Sequence, residues 1–286
     1  MTRRDPHMDR RALFASAAAA TLLAASGVSA AGLPRKGGRL RMALSGATRS
    51  DGWLAGNGLF MQIARQGLVF DTLTEVAADG TLRGELATDW QASADARVWQ
   101  FYLRDDVTFH DGAAFGAKDA VANLRDLLDG RIAAKGADVV QITLDHPDAD
   151  LPLRLSHPEF VIRAAHAADA GIGTGLYKVT HFAPGQQLLT ERVAAHYKGD
   201  HVGWFDEVEL VSIPAASVRA EALGSYLVDA ADLSDAAMVT DLPDLTLQRG
   251  SRGMLQAASR DLLQPALIGF QRPMDNLRAA ERWWFA

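Results

Sequence analysis

Apolar residues in this chain recur with two different periods, and that mixture restricts the fold more than any single motif does. Leu40, Met42 and Leu44 alternate with Arg39, Arg41 and Ala43; Trp99, Phe101 and Leu103 alternate with Gln100, Tyr102 and Arg104; Val140, Ile142 and Leu144 repeat the pattern. A two-residue period puts one set on each face of a half-buried strand. Two further strands between Tyr177 and Val193, parted by Pro184-Gly185, and a third through Val208, Leu210 and Ser212 extend the series. Helical spacing appears between them. Leu59, Ile63 and Ala64 predict a helix over about residues 54–66 that Gly67 closes. Ala117, Ala120, Val121, Leu124, Leu127 and Leu128 form an apolar stripe that Gly130 ends, and a third helix is expected over about residues 215–226. Asp111-Gly112 is a turn, and residues 146–158 read as loop with a short helix. Strand, helix, several strands, helix and strands again predict an α/β fold with a mixed twisted sheet and helices on its faces.

The first thirty residues do not belong to that pattern. Arg3, Arg4, Arg10 and Arg11 precede an uncharged, Ala-rich run from Ala12 to Val28, and Val28-Ser29-Ala30 offers small residues for cleavage. Asp9-Arg10-Arg11-Ala12-Leu13-Phe14 resembles a twin-arginine export signal, with Asp where Ser or Thr is usual. The apolar run falls short of the roughly twenty residues that span a bilayer. Residues 1–30 are therefore expected to be a signal peptide, and the mature chain to be periplasmic, without a stable membrane insertion. With no Cys at the cleavage site, no lipid anchor is expected.

Composition removes several chemistries. The 286 residues contain no Cys, which excludes thiol catalysis and Cys-ligated metals. A net charge of −6 opposes a nucleic-acid binder, which needs a positive face. No His pair has metal-binding spacing; His146, His157, His166, His181, His196 and His201 are expected to be solvated, and His110 to be a structural hydrogen-bonder. No metal or other cofactor is expected. Ser225 lacks a nucleophile-elbow context, and Asp105-Asp106 and Asp148 with Asp150 lie in polar segments, so no catalytic residue is assigned. Gly173 and Gly175 are read as points where two backbones approach closely, not as a phosphate loop.

Several blocks then occur in one order: Phe70-Asp71-Thr72-Leu73, Asp79-Gly80-Thr81, Leu86-Ala87-Thr88-Asp89-Trp90, Phe101-Tyr102-Leu103-Arg104, Val107-Thr108-Phe109-His110-Asp111-Gly112 and Phe115-Gly116-Ala117-Lys118-Asp119-Ala120-Val121. With Gly173-Thr174-Gly175-Leu176-Tyr177-Lys178, they resemble family 5 of the extracellular solute-binding proteins, the peptide and nickel class that serves ABC importers. The resemblance implies a type II periplasmic-binding-protein first lobe. It places the main part of that lobe at 31–74 and 171–250, with a smaller strand-rich subdomain inserted at 75–170. Phe270 to Arg278 looks like the start of a second lobe, so 251–286 is expected to be a tail and most of that lobe to be absent.

The same resemblance implies a peptide or similar small-molecule ligand and an ABC importer permease as partners. Its cleft-facing loop would place Ser45, Arg49, Asp51 and Trp53 at the ligand; the alternative is an ordinary solvated loop. A rival expectation is a one-lobe descendant, or a truncated gene fragment, in which Trp283, Trp284 and Phe285 dock a protein partner. Those rings would otherwise plug the apolar surface that a second lobe covers.

Overall fold

In the computed structural model of the chain, the described residues are 37–66, 68–76, 81–199, 202–203, 205–233, 236–242, 245–249 and 256–260. The leader, Gly67, expected to close a helix, Asp79 and Gly80 of one motif block, His201, the Phe270–Arg278 block and the aromatic tail at Trp283, Trp284 and Phe285 lie outside them.

Seven strands build the main sheet: β1 (Arg39–Leu44), β8 (Tyr177–Ala183), β9 (Gln187–Arg192), β10 (Glu207–Ser212), β11 (Ala230–Leu233), β12 (Leu245–Arg249) and β13 (Gln256–Arg260). Their order is β12-β13-β11-β1-β10-β9-β8. The centre is parallel, with Met42 of β1 opposite Leu210 of β10 on one side and Ala230 of β11 on the other. Both flanks are antiparallel, β9 against β10 and β13 against β11. The alternation read in β1 predicts one exposed face. Instead Leu40, Met42 and Leu44 fill one core while Ala43, fully buried, packs into another, because a central strand of a two-faced sheet is covered on both sides.

Helix α1 (Leu59–Arg65) sends Phe60, Met61 and Ala64 into the core beneath Leu40, Met42, Val208 and Leu210. Helix α4 (Ala216–Gly224) covers the opposite face, where Ala220, Ala222 and Leu223 meet Ala43, Ala231 and Leu233. A second layer is strand-rich. Strands β4 (Ala87–Ala92), β5 (Val98–Leu103), β6 (Gly130–Ala134) and β7 (Val139–Leu144) form a sheet in the order β4-β5-β7-β6. Helices α2 (Ala117–Leu124) and α3 (Leu151–Arg154) pack with it, and β2 (Thr74–Val76) pairs with β3 (Leu82–Gly84) nearby. Trp99, Phe101, Phe109 and Ile142 anchor its core, each large ring contributing about 2–3 kcal/mol. Trp90 is only half-buried and packs at the margin.

The two cores meet along short segments whose neighbouring residues diverge. Phe70 belongs to the main core and Leu73 to the second; Val161 belongs to the first while Phe160 and Ile162 belong to the second. Gly173 and Gly175 serve this junction as close-approach points. A Cβ on Gly173 would lie 1.9 Å from the Val69 carbonyl oxygen, and one on Gly175 2.4 Å from that of Leu68.

Two helix boundaries differ from the periodicity. Helix α1 begins at Leu59, five residues later than predicted, because Gly58 crosses Gly46 so closely that a Cβ on Gly58 would sit 1.8 Å from the Gly46 oxygen. Helix α2 ends at Leu124, and Gly130, at φ +146°, opens β6 opposite Leu144 instead of capping the helix. Leu127 is exposed and only Leu128 continues into the core. No helix among the described residues is long and apolar enough to cross a membrane.

Candidate functional site

The chain leaves β1 through α1 on one face of the sheet and leaves β10 through α4 on the other. The carboxyl ends of β1 and β10 therefore form a topological switch point, the place where open α/β sheets receive ligands. The loop from Ser45 to Gly58 lies there, beside the β8–β9 turn; Gly185 of that turn approaches the Arg49 backbone so closely that a Cβ on it would be 2.9 Å from the Arg49 nitrogen.

Most of the loop's polar groups hold its own shape. The Ser45 backbone N–H and hydroxyl donate to Asp232 of β11 at 2.7 and 2.8 Å. Asp232 also accepts from the Arg219 guanidinium at 3.0 Å, and Arg219 donates to the carbonyls of Ile213, Pro214 and Asp232. The Thr48 N–H and hydroxyl both donate to the buried Asp51 carboxylate at 2.8 Å. Trp53, 5% exposed, stands edge-on to Phe70 with centroids 5.6 Å apart and tilts against Phe182 at 4.9 Å. Arg65 of α1 donates to the carbonyls of Gly52, Ala55 and Gly56.

Of the four residues singled out in this loop, Ser45, Asp51 and Trp53 are engaged inside the protein, and Arg49 extends into solvent at the turn. Two arginines that the sequence did not suggest lie beside it. Arg65 and Arg163 are half-buried, and burial holds both guanidinium pKa values below the usual range, with the charge of Arg163 lowering that of Arg65 further. Arg163 Nη1 is 3.5 Å from the Trp53 carbonyl oxygen, and the Nε atoms of both arginines are buried without a hydrogen-bond partner. Asp51, the acidic group that acts on Arg65 here, is already bound by Thr48. Arg65 and Arg163 thus bring more positive charge to this loop than Asp51 offsets. No feature of the local sequence pattern announces Arg163; only its nearness to the Trp53 loop does.

A second polar region lies at the other end of the sheet, around the segments before β8 and after β9. His196 was expected to be solvated. Instead the His196 side chain is 4% exposed and that of Lys198 8%. The reason is a pair of backbone clamps. His196 Nε2 donates to the Thr174 carbonyl at 3.1 Å while its Nδ1 accepts from the Lys198 N–H at 3.3 Å. His110 repeats the arrangement, with Nε2 on the Gly175 carbonyl at 2.8 Å and Nδ1 accepting from Gly173 at 3.4 Å. Both rings are neutral. Burial first, then the Lys198 charge, pushes His196 down to about 3, and burial lowers His110. A cavity of about 380 Å³ opens here, lined by Asp106, Thr108, His110, Gly175, Lys178 and His196 among others. His110 is the structural hydrogen-bonder expected. His146, His166 and His181 are exposed.

Buried behind these rings are Asp71, Glu75, Glu85, Tyr197 and Lys198. Burial pulls the Lys198 ammonium down, but Glu75 and Glu85 outweigh it and leave its pKa raised. Asp71 is raised to about 7, by burial first and then by the charge of Glu85. No group of three or more metal-ligating side chains occurs among the described residues. The signal that could have exposed this cluster was present: Asp71, Glu75 and Glu85 are each embedded among apolar residues such as Phe70, Leu73 and Leu86.

Residues 81–267 match the family described as "Bacterial extracellular solute-binding proteins, family 5 Middle". The nickel-binding periplasmic protein of Escherichia coli is 41% identical over 70 residues, 24% of this chain and 13% of that protein. Among solved structures, the periplasmic binding protein AgaA from A. tumefaciens in complex with agropinic acid superimposes with a TM-score of 0.67 at 26% identity, covering 75% of this chain and 48% of that one. The periplasmic binding protein DppA from Helicobacter pylori in complex with a peptide gives 0.65 at 20% identity, over 76% of this chain and 51% of the other, a likeness of fold. The chain spans about half the length of these structures.

Proposed function

This chain belongs to family 5 of the bacterial extracellular solute-binding proteins, and from that premise we propose that it serves as the periplasmic ligand-receiving part of an ABC importer for a peptide or another small solute. Its ligand docks at the switch point formed by the carboxyl ends of β1 and β10. The proposed arrangement keeps the leader as a twin-arginine-type export signal and treats the strand-rich layer as an insertion into the main lobe.

The observation that carries the reading is the loop from Ser45 to Gly58, braced from within by Asp232, Thr48 and Arg65 so that Arg49 is left to solvent. A loop whose shape is set by internal bonds presents its remaining side chain at little entropic cost on binding. The positive excess of Arg49, Arg65 and Arg163, with two guanidinium Nε atoms unpaired, favours a solute that carries a carboxylate or another anionic group. Ser45, Asp51 and Trp53 then act on the ligand through the loop's shape, and Arg49 by direct contact.

Titration calorimetry of the exported chain against acidic and neutral peptides, and against nickel complexes with carboxylate-bearing chelators, tests this. Heat is expected with the acidic members and is expected to weaken in Arg49→Ala. Silence toward every member would end the importer reading. Binding with equal strength to acidic and neutral members would end the anionic one.

A further inference from the structure

A group of buried ionisable side chains crosses the junction between the two cores. Asp71 stands between Phe70 of the main core and Leu73 of the second. Facing it are Glu75 of β2, Glu85 after β3, and His196, Tyr197 and Lys198 of the segment after β9; Arg83 of β3, Arg104 after β5 and His110 complete the surroundings. Lys198 Nζ reaches Glu75 at 3.1 Å and Glu85 at 2.5 Å, and Arg83 reaches Glu75 at 2.8 Å. The second oxygen of Glu85 accepts from the Thr72 N–H and hydroxyl, both at 2.8 Å. Arg104 donates to the Glu85 carbonyl and lies over the Tyr197 ring, 5.0 Å from its centroid, without binding a carboxylate. Both imidazoles are neutral donors to backbone. Lys198 and Arg83 thus bind Glu75 and Glu85, and neither cation forms an ion pair with Asp71.

The carboxylate left over is Asp71. Its Oδ2 accepts from the Thr174 hydroxyl at 2.9 Å and lies 4.0 Å from His196 Nε2, a nitrogen already committed to the Thr174 carbonyl. Its Oδ1 and the Tyr197 hydroxyl are both buried and neither has a well-formed hydrogen bond, although the two groups act on one another. An ionised carboxylate so placed is strongly disfavoured. The Tyr197 phenol can donate to the ionised carboxylate, but burial and the nearby Glu85 charge outweigh that bond; a proton on Oδ1 removes the charge and lets the acid donate toward the phenol oxygen instead.

We infer that Asp71 is held as a neutral acid and that its proton latches the junction, so that ionisation of Asp71 loosens the strand-rich layer from the seven-stranded sheet. The upward displacement of the Asp71 pKa to about 7 agrees with this. A carboxyl that binds its proton more tightly in the closed junction than in the open one makes opening easier as pH rises from about 4 to about 7, and no easier above. His110 and His196 act in the other sense, because each takes up a proton once exposed below about pH 6.5. They are common to the natural chain and to an Asp71→Asn variant, so their contribution cancels in a comparison of the two.

Amide hydrogen exchange at residues 107–115, 173–177 and 194–199, followed from about pH 5 to about pH 8 in both proteins, reads the latch. The protection of Asp71→Asn relative to the natural chain is expected to grow by up to about tenfold per pH unit as far as about pH 7 and then to stay level. Amides of β10 are expected to show no such trend. A constant ratio, or the same trend in β10, overturns the inference. Carbon-13 titration of the Asp71 carboxyl in the natural chain decides the matter even where the variant does not fold: a transition near neutrality supports the latch, and one near the ordinary value of about 4 overturns it.

Discussion

The backbone N–H and the hydroxyl of Ser45 both donate to the Asp232 carboxylate, at 2.7 and 2.8 Å, across a separation of 187 residues. Through this contact the loop after β1 is fastened to β11, and Arg219 holds Asp232 from the other side at 3.0 Å. The position of the proposed ligand site is therefore set by a buried polar chain that runs from α4 through β11 to the loop.

Removing either end of that chain should have unequal effects. Asp232→Ala leaves the buried Arg219 guanidinium without its counter-ion and is expected to cost about 3–5 kcal/mol. Ser45→Ala deletes one hydrogen bond and should cost about 1 kcal/mol. Urea midpoints at constant slope measure both, and equal losses would show that Arg219 does not depend on Asp232.

Gly58 and Gly52 make a matched pair within the loop. A Cβ on Gly58 would lie 1.8 Å from the Gly46 oxygen, whereas one on Gly52 meets nothing within 4 Å. Gly58→Ala is expected to destabilise by about 3 kcal/mol or more, and Gly52→Ala to stay within about 0.5 kcal/mol. Thermal unfolding of the two variants checks the contrast.

Trp53 and Arg49 should separate stability from binding. Trp53→Ala empties a ring site against Phe70 and Phe182 and is expected to cost about 3–5 kcal/mol. Arg49→Ala removes an exposed side chain and should leave stability within about 0.5 kcal/mol while weakening any anionic ligand. Denaturation and calorimetry on the same two preparations give both readouts.

His196 makes the fold sensitive to acid. Its folded pKa of about 3 lies below the unfolded value, so the unfolded chain gains a proton that the folded chain refuses. Stability from this group is complete above about pH 6.5 and falls by about 1.4 kcal/mol per pH unit below it, until about pH 3. Asp71, displaced upward, slopes the opposite way between about pH 4 and about pH 7, and His110 adds to His196 on the acid side. The His196 and Asp71 slopes thus largely offset one another between about pH 5 and about pH 6.5, so urea midpoints should fall toward acid there only as far as His110 takes them, and His196→Gln should shift the slope by about 1.4 kcal/mol per pH unit toward greater stability in acid. An unchanged slope in the variant would show that the ring is protonated in the fold.

Lys198 tests the buried ion cluster from its cationic side. Lys198→Met removes the charge that Glu75 and Glu85 share and is expected to cost about 3–5 kcal/mol. Adding Glu85→Gln should recover part of that loss, because one uncompensated charge goes with it. A double variant no more stable than the single one would argue that Lys198 matters for packing alone.

Local pattern was enough for the strands β1, β5, β7, β8, β9 and β10, for the turn at Asp111-Gly112 and for the two close-packed glycines, Gly173 and Gly175. Each of these depends on alternation or on a missing side chain, which a few neighbouring residues express. The motif blocks from Phe70 onward likewise announced the family without any coordinates. Tertiary structure decided what those residues touch. Helix α1 lost its first turn to the Gly46–Gly58 crossing, Gly130 became the start of a strand, and Trp53 and Asp51 were drawn into the interior. It also buried His196 and Lys198, which in sequence look like members of a polar turn. The difference has a physical cause: periodicity reports which face a side chain takes within its own element, whereas burial and ionisation depend on segments more than a hundred residues away, as Lys198 does on Glu75 and Glu85.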